Sequence, residues 1–144
     1  MLVSQILTSK SDGAVVTLPP GTSVAQVAET LSVRRIGAVV ISRDGKRVGG
    51  IVSERDVVRE LGRRGAVCLT DTVDSIMTAK VTTCARGDKA DDVLQRMTDG
   101  RFRHLPVVED GMMVGLISIG DVVKARLAEL SMEKDALEGM IKGF

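Results

Sequence analysis

The chain contains one unit of about seventy residues twice, and this internal repeat limits its possible folds more than any other feature. Residues 15–53, VVTLPPGTSVAQVAETLSVRRIGAVVISRDGKRVGGIVS, match residues 81–118, VTTCARGDKADDVLQRMTDGRFRHLPVVEDGMMVGLIS. The offset is 66 residues as far as the Asp-Gly pairs at 44–45 and 110–111, and 65 residues afterwards. Two copies imply two equivalent surfaces, which we expect to be related by a pseudo-twofold axis.

A short lead-in precedes each copy. Residues 3–8, VSQILT, match residues 73–78, VDSIMT, and the first copy has four more residues between its lead-in and Val15. We therefore divide the chain into repeat 1 (residues 3–62), repeat 2 (residues 73–128) and a helical C-terminal extension (residues 129–144).

Length and composition predict a globular protein with one core. The 144 residues are 44% hydrophobic and 27% charged, which excludes a disordered chain. The net charge of +1 favours neither nucleic acid nor an anionic membrane. No apolar run approaches the ~20 residues that span a bilayer, and residues 1–4 carry no positive charge typical of a signal peptide. We expect a cytoplasmic protein.

The pattern of each copy predicts the order β-α-β-β-α, an α/β (α+β) fold. Helices are indicated by apolar residues at i, i+3, i+4 and i+7: Val24, Val27, Ala28 and Leu31, and again Ala90, Val93, Leu94 and Met97. Short strands are predicted at 15–18 and 81–83. Hairpins are predicted at 38–52 and 105–117, because Asp-Gly between apolar runs is a strong hairpin signal. Residues 63–71 are predicted to link the copies.

The sharpest local match is a G-h-h-S-x-x-D motif, where h is apolar. It occurs as GIVSERD at 50–56 and as GLISIGD at 115–121, where a strand ends and a helix begins. One interpretation is structural, since Ser followed three residues later by an acid forms a helix capping box. The other is a binding site, since glycine allows close approach to the backbone and an Asp there can accept hydrogen bonds from both hydroxyls of a ribose.

A second candidate site is the segment RFRHLPVV at 101–108. Arg103 and His104, at the entry to a predicted strand, are a candidate phosphate clamp, because a guanidinium binds phosphate oxygens bidentately and an imidazole adds a donor. His104, the only histidine, has a purely structural role as its alternative. The first copy has Gly37 and Ala38 at these positions, so two binding sites should differ in their preference for phosphate.

Together, these motifs resemble a pair of CBS domains, named after cystathionine β-synthase, which form a Bateman module. The resemblance covers the chain from Val3 to about Leu127 and is greatest to small stand-alone bacterial members. It implies a regulatory module that binds AMP, ADP, ATP or NAD(H) in the cleft between the repeats. The ligand is a signal, with AMP or NAD(H) favoured, and no catalytic cofactor is implied.

The resemblance also implies roles for individual residues. Ser53, Arg55 and Asp56 would line the first site, and Val16 would contact the base. Arg103 and His104 of the opposite copy would reach the phosphates. The second site would be lined by Thr82, Ser118 and Asp121. Gly120, which replaces Arg55 in the second copy, weakens the expected phosphate binding there.

No catalytic motif competes with this interpretation, so we expect no enzyme. The main alternative is a ligand-free protein–protein interaction module with the same fold. Another is a redox or metal sensor that uses Cys84, although the two cysteines have no metal-ligand spacing and suit buried free thiols. The nucleotide interpretation also requires a partner, either an effector protein or a second copy.

The C-terminal helix predicts a homodimer. Its apolar residues follow the spacing of an a/d seam interrupted by Lys134: Val123, Leu127, Leu130, Leu137 and Ile141. CBS pairs also commonly associate through their helices. The alternative is a tail that folds back on its own module.

Overall fold

The computed structural model of the chain describes residues 1–10 and 14–143. In chain order its helices and strands are α1 (Val3–Ser9), β1 (Thr17–Leu18), α2 (Val24–Arg34), β2 (Ala38–Ile41), β3 (Gly50–Ser53), α3 (Glu54–Arg64), two 3-10 helices (Gly65–Thr70 and Val73–Ser75), α4 (Ala90–Gly100), β4 (His104–Glu109), β5 (Met112–Ser118) and α5 (Ile119–Ile141). This mixture of helices and strands confirms the predicted fold class.

The chain divides into two compact units. The repeat-1 unit comprises residues 14–82 with 109–114, and the repeat-2 unit comprises the described residues of 1–13, 83–108 and 115–144. The lead-in of each copy thus belongs to the unit formed by the other copy, an exchange that the sequence repeat does not reveal.

Matching backbone hydrogen bonds hold the exchanged lead-ins. In the repeat-1 unit, Val73 N donates to Thr22 O over 2.7 Å. In the repeat-2 unit, Val3 N donates to Asp88 O over 2.9 Å. Val3 and Val73 are fully buried, so each lead-in contributes an apolar side chain to a core as well as backbone hydrogen bonds.

The repeat-1 unit contains a three-stranded sheet in the order β1-β2-β3. β1 runs parallel to β2, and β2 pairs with β3 in antiparallel register from Ala38 opposite Ser53 to Ile41 opposite Gly50. All four residues of β2 are buried. The predicted helical face of α2 packs on this sheet, with Val24, Val27 and Leu31 buried in the same core.

The first strand of each copy is shorter than predicted. Only Thr17 and Leu18 form β1, although the carbonyl oxygen of Val16 still accepts a hydrogen bond from Val40 N over 3.3 Å. The predicted strand at 81–83 is absent from the described structure, and only Cys84 forms a parallel bridge, with Val107. Repeat 2 therefore has a two-stranded sheet, β4-β5. In this copy the first predicted strand is thus reduced to the single bridge at Cys84.

The two Asp-Gly pairs form different turns. Asp110 and Gly111 both have positive φ, +52° and +77°, and close a two-residue turn between β4 and β5 as predicted. The first copy also forms the predicted antiparallel hairpin, but its two strands are joined by an eight-residue connection, 42–49. Asp44 Oδ1 instead accepts hydrogen bonds from the amides of Lys46 (2.8 Å) and Arg47 (2.9 Å). These bonds stabilise a wider loop that fits the one-residue change of offset.

The connection between the copies is helical. α3 runs to Arg64, and a 3-10 helix follows from Gly65 to Thr70, so the predicted linker at 63–71 is ordered secondary structure. Arg64 forms an ion pair with Asp71 across this connection.

α5 continues without interruption from the second copy through the predicted extension to Ile141. The five seam residues are exposed in the chain, from 41% for Val123 to 84% for Ile141. The alternative that the tail folds back on its own module is therefore wrong.

Candidate functional site

The motif of the first copy forms a capping box at the start of α3. Ser53 is the last residue of β3 and the N-cap of α3, and its Oγ accepts a hydrogen bond from Asp56 N over 3.4 Å. Asp56 Oδ2 accepts hydrogen bonds from Ser53 N (2.9 Å) and Ser53 Oγ (3.2 Å). Its other oxygen, Oδ1, forms an ion pair with Arg59. The Arg59 side chain is 60% exposed and the Asp56 side chain 16%, so the solvent side of this pair is formed by the guanidinium.

The motif of the second copy has the same cap but a different cation. Ser118 Oγ accepts from Asp121 N over 3.1 Å, and Ser118 N donates to Asp121 Oδ2 over 2.8 Å. Lys10 also donates to Asp121 Oδ2 from its Nζ over 2.8 Å. The same Nζ donates to the carbonyl oxygen of Leu116 in β5 over 2.8 Å. Lys10 therefore links the N-terminal segment of the repeat-2 unit to the motif.

The environment of Asp121 keeps it ionised. Burial by itself raises the pKa of this carboxyl, but hydrogen bonds from Lys10 and Ser118 and the charge of Lys10 outweigh burial. The resulting pKa lies below the ordinary value of 3.8. A carboxylate held in this way is an acceptor for hydroxyl donors at neutral pH.

The capping interpretation of the motif thus describes a contact that both copies make. Capping uses Asp Oδ2 in each copy and does not exclude a ligand role for the same carboxylate. The assignment of Asp56 and Asp121 to a ribose stays a prediction.

The glycine that opens each motif accommodates a side chain of the protein itself. A Cβ at Gly50 would lie 2.5 Å from Met77 Sδ, and one at Gly115 would lie 2.6 Å from Leu7 Cδ2. Leu7 and Met77 are equivalent residues of the two lead-ins. The close approach predicted from the glycines is therefore made by side chains of the exchanged lead-ins. This contact attaches each lead-in to a motif strand.

Three other predicted site residues lie in the repeat-1 unit. Val16 is half-buried beside β1. Arg55 is exposed on the first turn of α3, and no hydrogen bond or ion pair of its side chain is recorded within the described residues. Thr82 is exposed and outside any strand, so its predicted place on the first strand of the second copy was wrong.

The predicted phosphate clamp lies in the repeat-2 unit. Arg103 is exposed, and its carbonyl oxygen accepts a hydrogen bond from Ile119 N over 2.8 Å, which brings the backbone of Arg103 to the start of α5. His104 is half-buried as the first residue of β4. Their approach to a ligand held by Ser53 and Asp56 stays a prediction.

Sequence reasoning missed Lys10. A signal was available, since Lys10 and Lys80 occupy equivalent positions just after the two lead-ins, two residues beyond the matching threonines Thr8 and Thr78. The exchange of lead-ins, which only the structure shows, gives Lys10 its contact with Asp121.

A pocket of about 330 Å³ lies in the repeat-1 unit and contains none of the predicted site residues. It lies at the Ile41 and Gly49 end of the β2–β3 pair, away from Ser53. Arg43 and Arg47 line it together with Asp44 and Asp74. The balance of these charges gives the pocket no preference for an anion or a cation.

The cysteines are poor candidates for sensing. Cys68 and Cys84 are both buried and free. Burial raises the pKa of the Cys84 thiol to about 12, so it holds its proton at neutral pH. Within residues 1–10 and 14–143, no group of three or more His, Cys, Asp or Glu side chains could hold a metal ion.

Comparison with protein-family models identifies the CBS domain twice, at residues 3–63 and 73–128. Among curated proteins, the chain is 32% identical over 148 residues to the CBS domain-containing protein CBSX3, mitochondrial, of Arabidopsis thaliana, with 98% of this chain and 72% of that protein covered. CBS domains are regulatory modules, and no enzymatic family is indicated. No helix in the described part of the chain is long and apolar enough to cross a membrane.

Solved structures give similar results. The CBS-domain containing protein ATU1752 from Agrobacterium tumefaciens is 42% identical, with a TM-score of 0.83 and coverage of 88% of this chain and 99% of that one. PAE2072 from Pyrobaculum aerophilum, complexed with AMP, is 30% identical with a TM-score of 0.78 and coverage of 92% and 99%. The CBS domain pair of MJ0100, in complex with 5′-methylthioadenosine and S-adenosyl-L-methionine, is 25% identical with a TM-score of 0.77 and coverage of 90% and 98%. The chain therefore belongs to the CBS-domain family, with two CBS domains that account for most of its length.

Proposed function

We propose that the protein is a cytoplasmic regulatory module that binds an adenine nucleotide, AMP or NAD(H) in the first place, and passes on its occupancy to an effector protein or through self-association. The observation that carries this proposal is the repeated Ser-Asp arrangement, in which Asp56 and Asp121 stand half-buried where a strand meets a helix. The AMP complex of PAE2072 and the adenosine-derivative complex of MJ0100 support the same class of ligand.

In this proposal each motif Asp accepts hydrogen bonds from ribose hydroxyls. Asp56 Oδ1 becomes available when the exposed Arg59 turns into solvent, and Asp121 keeps its charge beside Lys10. Ser53, Arg55 and Val16 complete the first site, and Ser118 and Thr82 complete the second. Arg103 and His104 bind phosphate.

A thermal-shift panel tests the ligand class. One-site binding at a ligand concentration of 100 times Kd stabilises a protein by about 2.7 kcal/mol, which raises its melting temperature measurably. We expect AMP or NAD(H) to raise the melting temperature. ADP, ATP, S-adenosylmethionine and inosine monophosphate complete the panel for comparison. If none of these raises the melting temperature, the ligand-free interaction module is the correct interpretation.

Calorimetric titration of Asp56→Ala separates binding from capping. Hydrogen bonds to a charged group contribute about 1.5–3 kcal/mol, so the variant should bind nucleotide roughly ten- to a hundredfold more weakly. Ser23→Ala is the matched control, because Ser23 caps α2 by accepting from Gln26 N over 3.1 Å and is not a predicted site residue. Both variants should lose melting temperature. Unchanged affinity in Asp56→Ala would assign Asp56 to the helix cap alone.

The phosphate contact is tested by comparing AMP with adenosine. Arg103→Ala should weaken AMP binding more than adenosine binding, because only AMP carries the charge that the guanidinium pairs with. Lower pH should strengthen AMP binding modestly if His104 contacts the phosphate. Equal losses for both ligands would give Arg103 a role in the fold.

Self-association is proposed from the exposed seam of α5. An isolated amphipathic helix gains little stability from propensity alone, and burial of Leu127, Leu137 and Ile141 in a second copy would stabilise it. Light scattering on the chain truncated after Ala128 should show a weaker dimer or a monomer. A truncated chain that stays fully dimeric at low micromolar concentration would place the interface elsewhere.

A further inference from the structure

We propose that Lys10 is a ligand-binding residue of the second site and that its charge selects ligands with an anionic 5′ group over those with a neutral or sulfonium group. This inference rests on the proposed function, since it assumes that Asp121 receives a ribose. Lys10 lies outside the G-h-h-S-x-x-D motif, two residues after the lead-in of the other copy.

The position of Lys10 is defined by two hydrogen bonds. Its ammonium lies 2.8 Å from Asp121 Oδ2 and 2.8 Å from Leu116 O, and its side chain is 27% exposed. An ammonium has three N–H donors, so a third remains beyond these two hydrogen bonds. These two hydrogen bonds hold the positive charge of Lys10 beside the Asp121 carboxylate.

The first copy has no equivalent contact. Lys80, at the matching position, is exposed, and the described residues offer it no recorded hydrogen bond or ion pair. Ile51 O, which corresponds to Leu116 O, accepts instead from Thr78 N over 2.8 Å through the backbone of an isolated bridge. Asp56 pairs with Arg59 of its own helix. The contact of Lys10 therefore distinguishes the second site from the first.

The charge of Lys10 replaces one that the second motif has lost. Arg55 precedes Asp56 in the first motif, and Gly120 occupies that position before Asp121. Without Lys10, the motif of the second copy would present a carboxylate and no cation, which disfavours a phosphate. With Lys10 in place the pair has no net charge, and a free N–H donor remains on the ammonium for an anionic oxygen.

The chemistry of adenosine ligands gives this difference a measurable consequence. In this proposal the ribose donates its 2′ and 3′ hydroxyls to Asp121, and its 5′ substituent, carried by the carbon attached to C4′, lies within reach of the Lys10 ammonium. A 5′-phosphate is attracted there, a 5′-methylthio group is neutral, and the sulfonium of S-adenosylmethionine is repelled. One favourable charge interaction at the protein surface changes affinity roughly tenfold.

The test compares AMP with 5′-methylthioadenosine by calorimetric titration, in the full chain carrying Asp56→Ala so that the second site dominates. Adding Lys10→Met should weaken AMP binding about tenfold and leave 5′-methylthioadenosine binding unchanged. Lys10→Arg should keep the wild-type ratio of the two affinities. Lys80→Met, the matched control after the other lead-in, should also keep it.

Three results would overturn the inference while leaving the proposed function intact: equal losses for both ligands, an unchanged ratio, or tighter AMP binding in Lys10→Met. The last result would make Lys10 a competitor of the ligand for Asp121. If Lys10→Met has a strongly reduced melting temperature, Lys10→Gln, which keeps a hydrogen-bond donor without the charge, replaces it under the same criteria. A wild-type chain that binds neither of these two ligands nor any other nucleotide of the thermal-shift panel would refute the proposed function itself.

Discussion

The two units differ most where their sequences match best. Both motifs form the same capping box, with Ser Oγ on the backbone of the Asp three residues later. Asp56 then pairs with Arg59, one turn along its own helix, whereas Asp121 pairs with Lys10, 111 residues away in the chain. The capping contacts are thus copied with the repeat, while the cation beside each motif carboxylate differs. A repeated motif is therefore weak evidence for two identical sites.

The sheets show the same contrast. The repeat-1 unit has three strands, and Thr78 of the exchanged lead-in extends them by a bridge to Ile51. The repeat-2 sheet has two strands and the single bridge at Cys84. In the repeat-1 unit the carbonyl oxygen of Ile51 accepts a hydrogen bond from the backbone of Thr78. In the repeat-2 unit the equivalent carbonyl oxygen, of Leu116, accepts one from the side chain of Lys10. We expect the two units to respond differently to equivalent substitutions.

The largest effect should come from the equivalent core residues Leu105 and Val39, both fully buried. Leu105→Ala should lower the free energy of unfolding by about 2–5 kcal/mol, because a buried leucine leaves a cavity. Val39→Ala removes fewer carbon atoms than Leu105→Ala and should cost less. Denaturant unfolding followed by far-UV circular dichroism measures both losses, because the chain has no tryptophan for fluorescence detection. Equal losses would mean that the first core relaxes less around its cavity.

The glycines of the two motifs should rank next. Gly115→Ala places a Cβ against Leu7, and Gly50→Ala places one against Met77. Overpacking costs about 1–3 kcal/mol, and we expect Gly115→Ala to cost more because methionine adapts its shape more easily than branched leucine.

Double-mutant cycles identify the cause of this loss. Leu7→Ala should rescue Gly115→Ala, and Met77→Ala should rescue Gly50→Ala. Purely additive losses would show that the lead-ins do not meet the new methyl groups.

The ion pairs of the motif carboxylates should differ by less. Lys10→Met should lower the free energy of unfolding by about 0.5–1 kcal/mol, and Arg59→Met by less than about 0.5 kcal/mol because Arg59 is mostly exposed. The pKa of Asp121 is lowered in the folded state, so its contribution is complete above the ordinary pKa of 3.8 and disappears as pH falls through the lowered value.

Urea unfolding between pH 7 and pH 2 tests this difference. Lys10→Met should flatten the acid dependence, whereas Arg59→Met should retain the wild-type slope in that range. The reverse order would contradict the assignment of Lys10 as the principal partner of Asp121.

The smallest effect should come from the Asp-Gly loops. Hydrogen bonds from the amides of Arg47 and Lys46 lower the pKa of Asp44 to about 2. Its contribution is therefore complete above pH 3.8 and lost as pH falls through about 2. Asp44→Asn should remove this small part of the acid dependence of stability. Asp110→Asn should keep both the acid dependence and the turn, because asparagine also tolerates the positive φ of that position. NMR titration of the Asp44 carboxyl checks the pKa directly.

The sequence by itself determined the contacts that depend on neighbours in the chain. The spacing of Val24, Val27 and Leu31 predicts a helix because residues three and four apart share one face. Ser118 and Asp121 predict a capping box because only three residues separate them. The Asp110-Gly111 turn follows from the low cost of positive φ for these residue types.

Only the tertiary structure decided which lead-in belongs to which unit, because backbone hydrogen bonds and apolar burial can be satisfied equally by either copy. That choice brings Leu7 to Gly115 and Lys10 to Asp121, contacts with no local pattern to reveal them. The length of the loop around Asp44-Gly45 is likewise a tertiary feature, since Met113 N donates a hydrogen bond to Lys46 O (2.7 Å) from outside the loop's own segment. Local sequence determined the shared form of the two motifs, and long-range packing gave them different partners.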